Sequence, residues 1–306
     1  MEDDITDPSE LTIQAQEEVT QWSLLLNATG GALKPEKCFW YLLDYACHDG
    51  EWVYEKHPGL KLFVTNPDGS RSGIRQEDVT TSKKTLGIFD APSGGNSGHL
   101  EYIHGKLRTW IARMKNGHLP AHMAWTAYKL QLWPGLRYGL GTMTNDLEAA
   151  ESIFDKDDFD MLPILGVART VRRELRKLHP TFGGFGLFHL PTEQLICRTN
   201  MLFQHYHTST ALSKKLDASL KLLQLQLGTP HNPFSLPFGQ WGHLAPLSWV
   251  KVLWQSLDNF NIQLYMKYPS LPLPRERDQV IAEMFMDGSL SNQDLQGLHR
   301  CRGMLQ

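Results

Sequence analysis

The sequence predicts an α+β fold, with a small mixed unit over residues 1–90 followed by a mainly α-helical region over 99–306. Three observations carry this. Short β-prone stretches separated by turn signals fill the first part, and residues 91–98 break the pattern with Pro92 and three glycines. From His99 onward, apolar residues recur at steps of three and four, the spacing that stacks side chains on one face of a helix.

Residues 1–10 are acidic and polar, with Pro8 and no apolar period, and read as a frayed terminus. The spacing then predicts a helix over 11–27. Its apolar residues Ile13, Val19, Trp22, Leu25 and Leu26 lie mostly on one face, and Gly30-Gly31 supplies the stop. Residues 38–45 form a dense aromatic and apolar run, short enough for a buried strand. Further strands are predicted at 52–54, 60–65 and 85–89, with turn signals at Asp49-Gly50 and Pro67-Asp68-Gly69.

Beyond the glycine-rich segment, Leu100, Ile103, Leu107, Trp110, Ile111 and Met114 share a helical face. Gly117 and Pro120 separate this helix from one predicted at 122–133. Other helices are predicted at 145–154, 162–177, 192–206, 208–227, 248–260 and 275–286, joined by proline-rich connections at 232–241 and 269–274. The helical part is read as two regions, 99–190 and 191–306.

At 306 residues and 41% hydrophobic content the chain has enough apolar surface for one large core or two modest ones without a disulfide or metal staple. Cys38, Cys47, Cys197 and Cys301 lie far apart with no CxxC pair, which points to reduced thiols in an intracellular compartment and away from a zinc framework. Met1-Glu2-Asp3-Asp4 lacks the basic start and apolar run of a signal peptide. No stretch reaches the roughly 18 apolar residues of a membrane span, so no membrane partner is expected. Nuclear and cytoplasmic locations stay open, since no basic import signal stands out.

A net charge of −3 is not the overall basic balance of a nucleic-acid binder, but the charge is uneven. Residues 2–18 and 148–160 are acidic and 169–179 strongly basic. Arg169, Arg172, Arg173, Arg176 and Lys177 recur at spacings that would gather them on one helical face. That face has two readings: a phosphate-binding surface, or a solvated face paired with the acidic stretch 155–160. The thirteen histidines include no HExxH spacing, and the nine tryptophans sit where core packing explains them. No GxSxG elbow marks a nucleophile.

Four short strings stand out in order: Gly30 to Cys38, with Lys37 just before an apolar run; Lys83-Lys84-Thr85-Leu86-Gly87-Ile88; Lys106-Leu107-Arg108-Thr109-Trp110; and Gly183-Gly184-Phe185-Gly186-Leu187. Singly, each has an ordinary reading, such as a helix C-cap or a tight turn. The lysine and Ser/Thr of a P-loop do not follow the last one. In this order they resemble the later part of a non-LTR retroelement reverse transcriptase over about residues 11–190, with the first two matching its motifs D and E. The resemblance implies the end of a polymerase palm over 1–90, a thumb-like region over 99–190 and a helical extension over 191–306. It implies that Leu86 and Gly87 belong to a primer-grip hairpin. Lys37 would assist the leaving pyrophosphate or contact the incoming nucleotide, and Lys106, Arg108 and the run from Arg169 to Lys177 would hold nucleic acid. An RNA template and a DNA primer are the implied partners, together with a separate palm region.

Polymerisation needs carboxylates that hold two metal ions. Asp3-Asp4 stands at the distance of a remnant of the family's aspartate pair, and also reads as an acidic tail. The other metal-binding motifs have no counterpart, so the resemblance implies holding and orienting a primer–template rather than complete catalysis by an RNA-directed DNA polymerase. Mg2+ would belong to an intact palm, and no cofactor to this chain. The alternatives are a non-enzymatic helical RNA- or protein-binding module derived from such an element, or a degenerate fragment.

Overall fold

The computed structural model describes residues 7–48, 51–66, 68–144, 147–206, 208–229 and 231–264, with 291, 293–294 and 297–298. The chain is α+β and divides into two compact units, Met1–Gly98 and His99–Gln306. The predicted helix at 275–286 and the connection at 269–274 lie outside the described residues, as does the Asp49-Gly50 turn.

The first helix, α1 (Pro8–Ala28), takes in residues expected to fray. The Asp7 side chain accepts from the Ser9 N–H at 2.9 Å, and Pro8 occupies a first-turn position where no N–H is needed. The helix stops as expected, with Gly30 at φ +79° and the Gly31 N–H reaching the Leu26 carbonyl at 2.8 Å. Its apolar face is not the buried one. Ile13, Trp22 and Leu25 are exposed while Thr12 and Ser23 are buried. Gln16 explains this orientation, because its side-chain amide donates to the Phe63 carbonyl at 2.9 Å and accepts from the Phe63 N–H at 2.8 Å. A polar side chain thus completes a strand edge, and the helix turns its polar face inward.

Among the described residues seven short strands follow: β1 (Phe39–Trp40), β2 (Tyr45–His48), β3 (Glu51–Tyr54), β4 (Leu62–Thr65), β5 (Arg71–Gln76), β6 (Lys83–Thr85) and β7 (Ile88–Asp90). A three-stranded sheet has the order β1-β5-β4, with β1 parallel to β5 (Phe39 opposite Arg75) and β4 antiparallel to it (Leu62 opposite Ile74). The central strand was not anticipated, since Arg-Ser-Gly-Ile-Arg-Gln lacks the β-branched and aromatic enrichment that marks a strand. β2–β3 and β6–β7 are antiparallel pairs. The run 38–45 holds β1 and only the first residue of β2, and the expected strand at 85–89 is the end of one arm, the turn and most of the second arm of a hairpin.

In the second unit α2 (Ser97–Gly117) starts at the unit boundary. The helix expected at 122–133 is α3 (Ala121–Ala127) running through a π-turn at Tyr128–Leu132 into α4 (Trp133–Arg137). The Trp133 N–H reaches back five residues to the Tyr128 carbonyl. Pro134 supplies a cause: it has no N–H to give and its ring crowds the carbonyl four residues earlier, so the chain widens by one residue.

Next come α5 (Leu147–Met161), α6 (Arg173–Lys177), α7 (Leu190–Tyr206), α8 (Ala211–Leu227), α9 (Phe238–Trp241) and α10 (Trp249–Asn259). The single helix expected over 162–177 does not form. Gly166 at φ +71° closes a Schellman turn in which the Val167 N–H donates to the Leu162 carbonyl and the Gly166 N–H to that of Pro163.

Two hydrophobic cores fill the second unit. One gathers Ile103, Leu107, Tyr128, Leu136, Phe154 and Leu187. The other gathers Leu220, Leu223, Trp241, Leu253, Trp254 and Leu257. Helix α7 serves both, giving Leu190 to the first and Leu195 and Leu202 to the second. Among the described residues no helix is long and apolar enough to cross a membrane.

Tyr128 is wholly buried, with its ring edge-on to Trp110, Trp125 and Trp133 at centroid distances of 6.0, 5.7 and 5.8 Å. Its hydroxyl accepts from the Phe188 N–H at 2.6 Å. Replacing Tyr128 with Phe should keep the ring packing but strand a buried N–H, at a cost of about 1–3 kcal/mol. Chemical denaturation of the variant measures this, and an unchanged midpoint would remove the hydroxyl from the account.

Candidate functional site

The site begins at the end of α1. Residues Pro35–Lys37 form a 3-10 turn that delivers the chain into β1, and the β1–β5 register sets Phe39 beside Arg75. Two residues further along β5's direction Glu77 turns inward, and the chain returns through β6 with Lys83 and Lys84. The outcome is a pocket of about 530 Å3 whose walls carry Lys37, Arg75, Lys83 and Lys84 with Glu36 and Glu77. Four cations face two carboxylates, so the pocket carries a formal charge of +2.

Glu77 organises it. Its carboxylate is buried, 2.9 Å from Arg75 Nε and 2.7 Å from Lys83 Nζ, and its N–H donates to the Trp40 carbonyl. A buried carboxylate between two cations fixes both side chains. Lys84 Nζ stands 6.0 Å over the Phe89 ring. Lys37 is exposed and makes no ion pair with a described residue.

The β6–β7 hairpin turns through Leu86 and Gly87, both at positive φ (51° and 92°), the pattern of a two-residue type I′ turn. Gly87 adopts this without strain, but leucine does not. Leu86 is also 89% exposed, so a large apolar side chain is held at the hairpin tip in a costly conformation.

The basic residues of the second unit are arranged differently. Only Arg173–Lys177 is helical, so Arg169 and Arg172 lie before the helix rather than on its face. Arg173 pairs with Glu151 and, at 2.8 Å, with Asp155. Lys177 lies 2.5 Å from Asp158 and donates to the Phe188 carbonyl at 2.7 Å. Arg176 is buried, donating from Nε to the Val171 carbonyl at 2.7 Å and lying 4.5 Å over the Phe159 ring. Arg169 donates to the Phe159 carbonyl at 3.0 Å. Arg108 lies 3.5 Å from Asp157, and Lys106 reaches toward the Gly135 carbonyl at 3.4 Å. Arg172 is exposed without an ion pair among the described residues. The acidic stretch on α5 and nearby backbone carbonyls thus take up most of the basic run.

The glycine string 183–187 presents no free phosphate cradle. The N–H groups of Gly184, Phe185, Gly186 and Leu187 donate to the carbonyls of His179, Leu175, Leu178 and Arg176. Gly184 is tightly placed, because a Cβ there would stand 2.0 Å from the Leu178 oxygen. Asp3 and Asp4 lie outside the described residues.

Sequence reading missed Arg75 and Glu77, since β5 was not recognised as a strand. It also missed Arg198, a wholly buried arginine on α7 that donates to the Met143 carbonyl and whose guanidinium burial pushes down to about 10. A further group, Asp44, Glu55 and His57, has ligand-type atoms within 4.8 Å of one another because the β2–β3 register continues to set Glu55 against Asp44. His57 already pairs with Asp44 at 2.7 Å. Comparison with protein-family models, curated proteins and solved structures finds no match to this chain.

His189 sits 2.6 Å from Glu151 at the edge of the α5–α6 charge cluster. Burial pulls its imidazole below the ordinary value of 6.5, with Lys177 and Arg173 acting in the same direction and Glu151 opposing. The unfolded chain therefore binds this proton more readily. The stabilising contribution is present above pH 6.5 and is lost as the pH falls through the lowered folded value. A His189→Asn variant should show a flatter fall in melting temperature between neutral and mildly acidic pH; a slope equal to the parent's would assign the effect elsewhere.

Proposed function

We propose that the chain holds a nucleic-acid strand by its phosphates at the basic pocket of the first unit, as the primer-grip region of a reverse transcriptase does, and that it does not polymerise by itself. The supporting observation is that Lys37 and the pair Lys83-Lys84, more than forty residues apart in sequence, line one pocket. The Leu86-Gly87 tip, with Leu86 exposed, closes the hairpin that carries Lys83 and Lys84. Lysines are flexible point charges that suit phosphate oxygens. A buried Glu77 that restrains Arg75 and Lys83 leaves the pocket net positive rather than neutral.

The substrate class follows the resemblance: a DNA primer on an RNA template, inside the cell, with catalytic carboxylates and their Mg2+ contributed by a separate palm. Arg108 and Arg172 would add backbone contacts from the second unit. A second reading, a non-enzymatic protein-binding module, draws on the exposed Ile13, Trp22 and Leu25 of α1.

Fluorescence anisotropy with a labelled RNA–DNA hybrid, measured over a range of salt concentrations, separates the two. Each lost phosphate contact should lower the slope of log affinity against log salt by about 1, so Lys37→Ala with Lys84→Ala should lower it by about 2. Hybrid binding with an unaltered slope would discard the pocket. A chain that binds no hybrid even at low salt would leave the protein-binding reading in its place.

A further inference from the structure

We propose that the second unit carries a separate site for a small planar anion, of the class of a nucleoside monophosphate, between α2 and the π-turn. A cavity of about 560 Å3 opens there. Tyr102, Trp110 and Met114 from α2 and Leu132 from the π-turn form apolar and aromatic walls, and the only charged side chains lining it among the described residues are Lys106 and Arg113. An apolar pocket with a few placed polar groups is the usual form of a small-molecule site. With two cations and no carboxylate among its lining residues, the charge of the occupant is negative.

Two features bear on what this cavity holds. One is the π-turn, whose residues Gln131 and Leu132 stand in the lining; such insertions in a helix cluster at functional sites. The other is Lys106, which is held in place. It crosses Gly135, where a Cβ would stand 2.5 Å from its Nζ, and the ammonium lies 5.6 Å over the Tyr102 ring. Its one hydrogen bond, 3.4 Å to the Gly135 carbonyl, is long and leaves donors for an anion. Aromatic walls then take a flat ring, while Lys106 and Arg113 take the phosphate.

Calorimetric titration of the full chain with adenosine 5′-monophosphate, adenosine and inorganic phosphate tests this. The monophosphate is expected to bind with one-to-one stoichiometry, at least about tenfold more tightly than either adenosine or phosphate. Lys106→Ala with Arg113→Ala should abolish that advantage, while Lys115→Ala, which lies outside the cavity, should keep it. Gly105 also lines the cavity, and a Cβ there meets nothing within 4 Å. Gly105→Leu should therefore keep the helix, which leucine favours over glycine, and block binding by filling the space. Equal affinity for adenosine and the monophosphate, equal affinity for phosphate and the monophosphate, or no binding would each overturn the proposal, as would normal binding by the folded Gly105→Leu chain. Since Lys37→Ala and Lys84→Ala leave this cavity intact, their variant must bind the monophosphate like the parent, which keeps this site's failure distinct from failure of the primer-grip reading.

Discussion

The first core of the second unit depends on one buried hydrogen bond, from the Phe188 N–H to the Tyr128 hydroxyl. Tyr128 opens the π-turn, and three tryptophans meet its ring edge-on. Phe188 is the residue to which Lys177 also bonds, just before α7 begins. The bond therefore ties the widened helix to the segment that launches α7, which in turn feeds both cores. A polar pair so deep is worth little as a net attraction but a good deal as a constraint, because any arrangement that separates the two groups leaves both desolvated.

Charge in this protein is organised by where carboxylates fall. In the second unit, α5 lies within reach of Arg173, Lys177 and Arg108, so a conspicuous basic run is spent on ion pairs and backbone carbonyls. In the first unit a single buried Glu77 restrains two of four cations, and an excess of positive charge remains on the pocket. A count of charges along the chain gives the opposite ranking, since 169–177 is the denser basic segment. Distance in space, which sets the Coulomb interaction and its screening, reverses it.

The glycines illustrate the same point. Gly87 at the hairpin and Gly166 at the Schellman turn are there because the backbone needs positive φ. Gly184 is there because the Leu178 carbonyl leaves no room for a side chain. The glycine-rich string 183–187 is a close backbone crossing whose N–H groups are already bonded.

What the sequence by itself determined was periodicity and its punctuation. Helices α2, α7 and α8, the stop at Gly30, and the break before His99 are legible because apolar spacing and Gly/Pro signals act locally, within a few residues of the structure they produce. Lys37 and the Lys83–Ile88 string could likewise be singled out by pattern. Tertiary structure decided the rest. β5 is a strand because β1 and β4 supply hydrogen bonds on both its edges, and α1 faces inward with its polar side because Gln16 meets Phe63. The pocket that joins Lys37 to Lys83 exists only through the β1–β5 register. Each of these follows from a partner distant in sequence, and a long-range contact leaves no mark on the local spacing from which a chain is read.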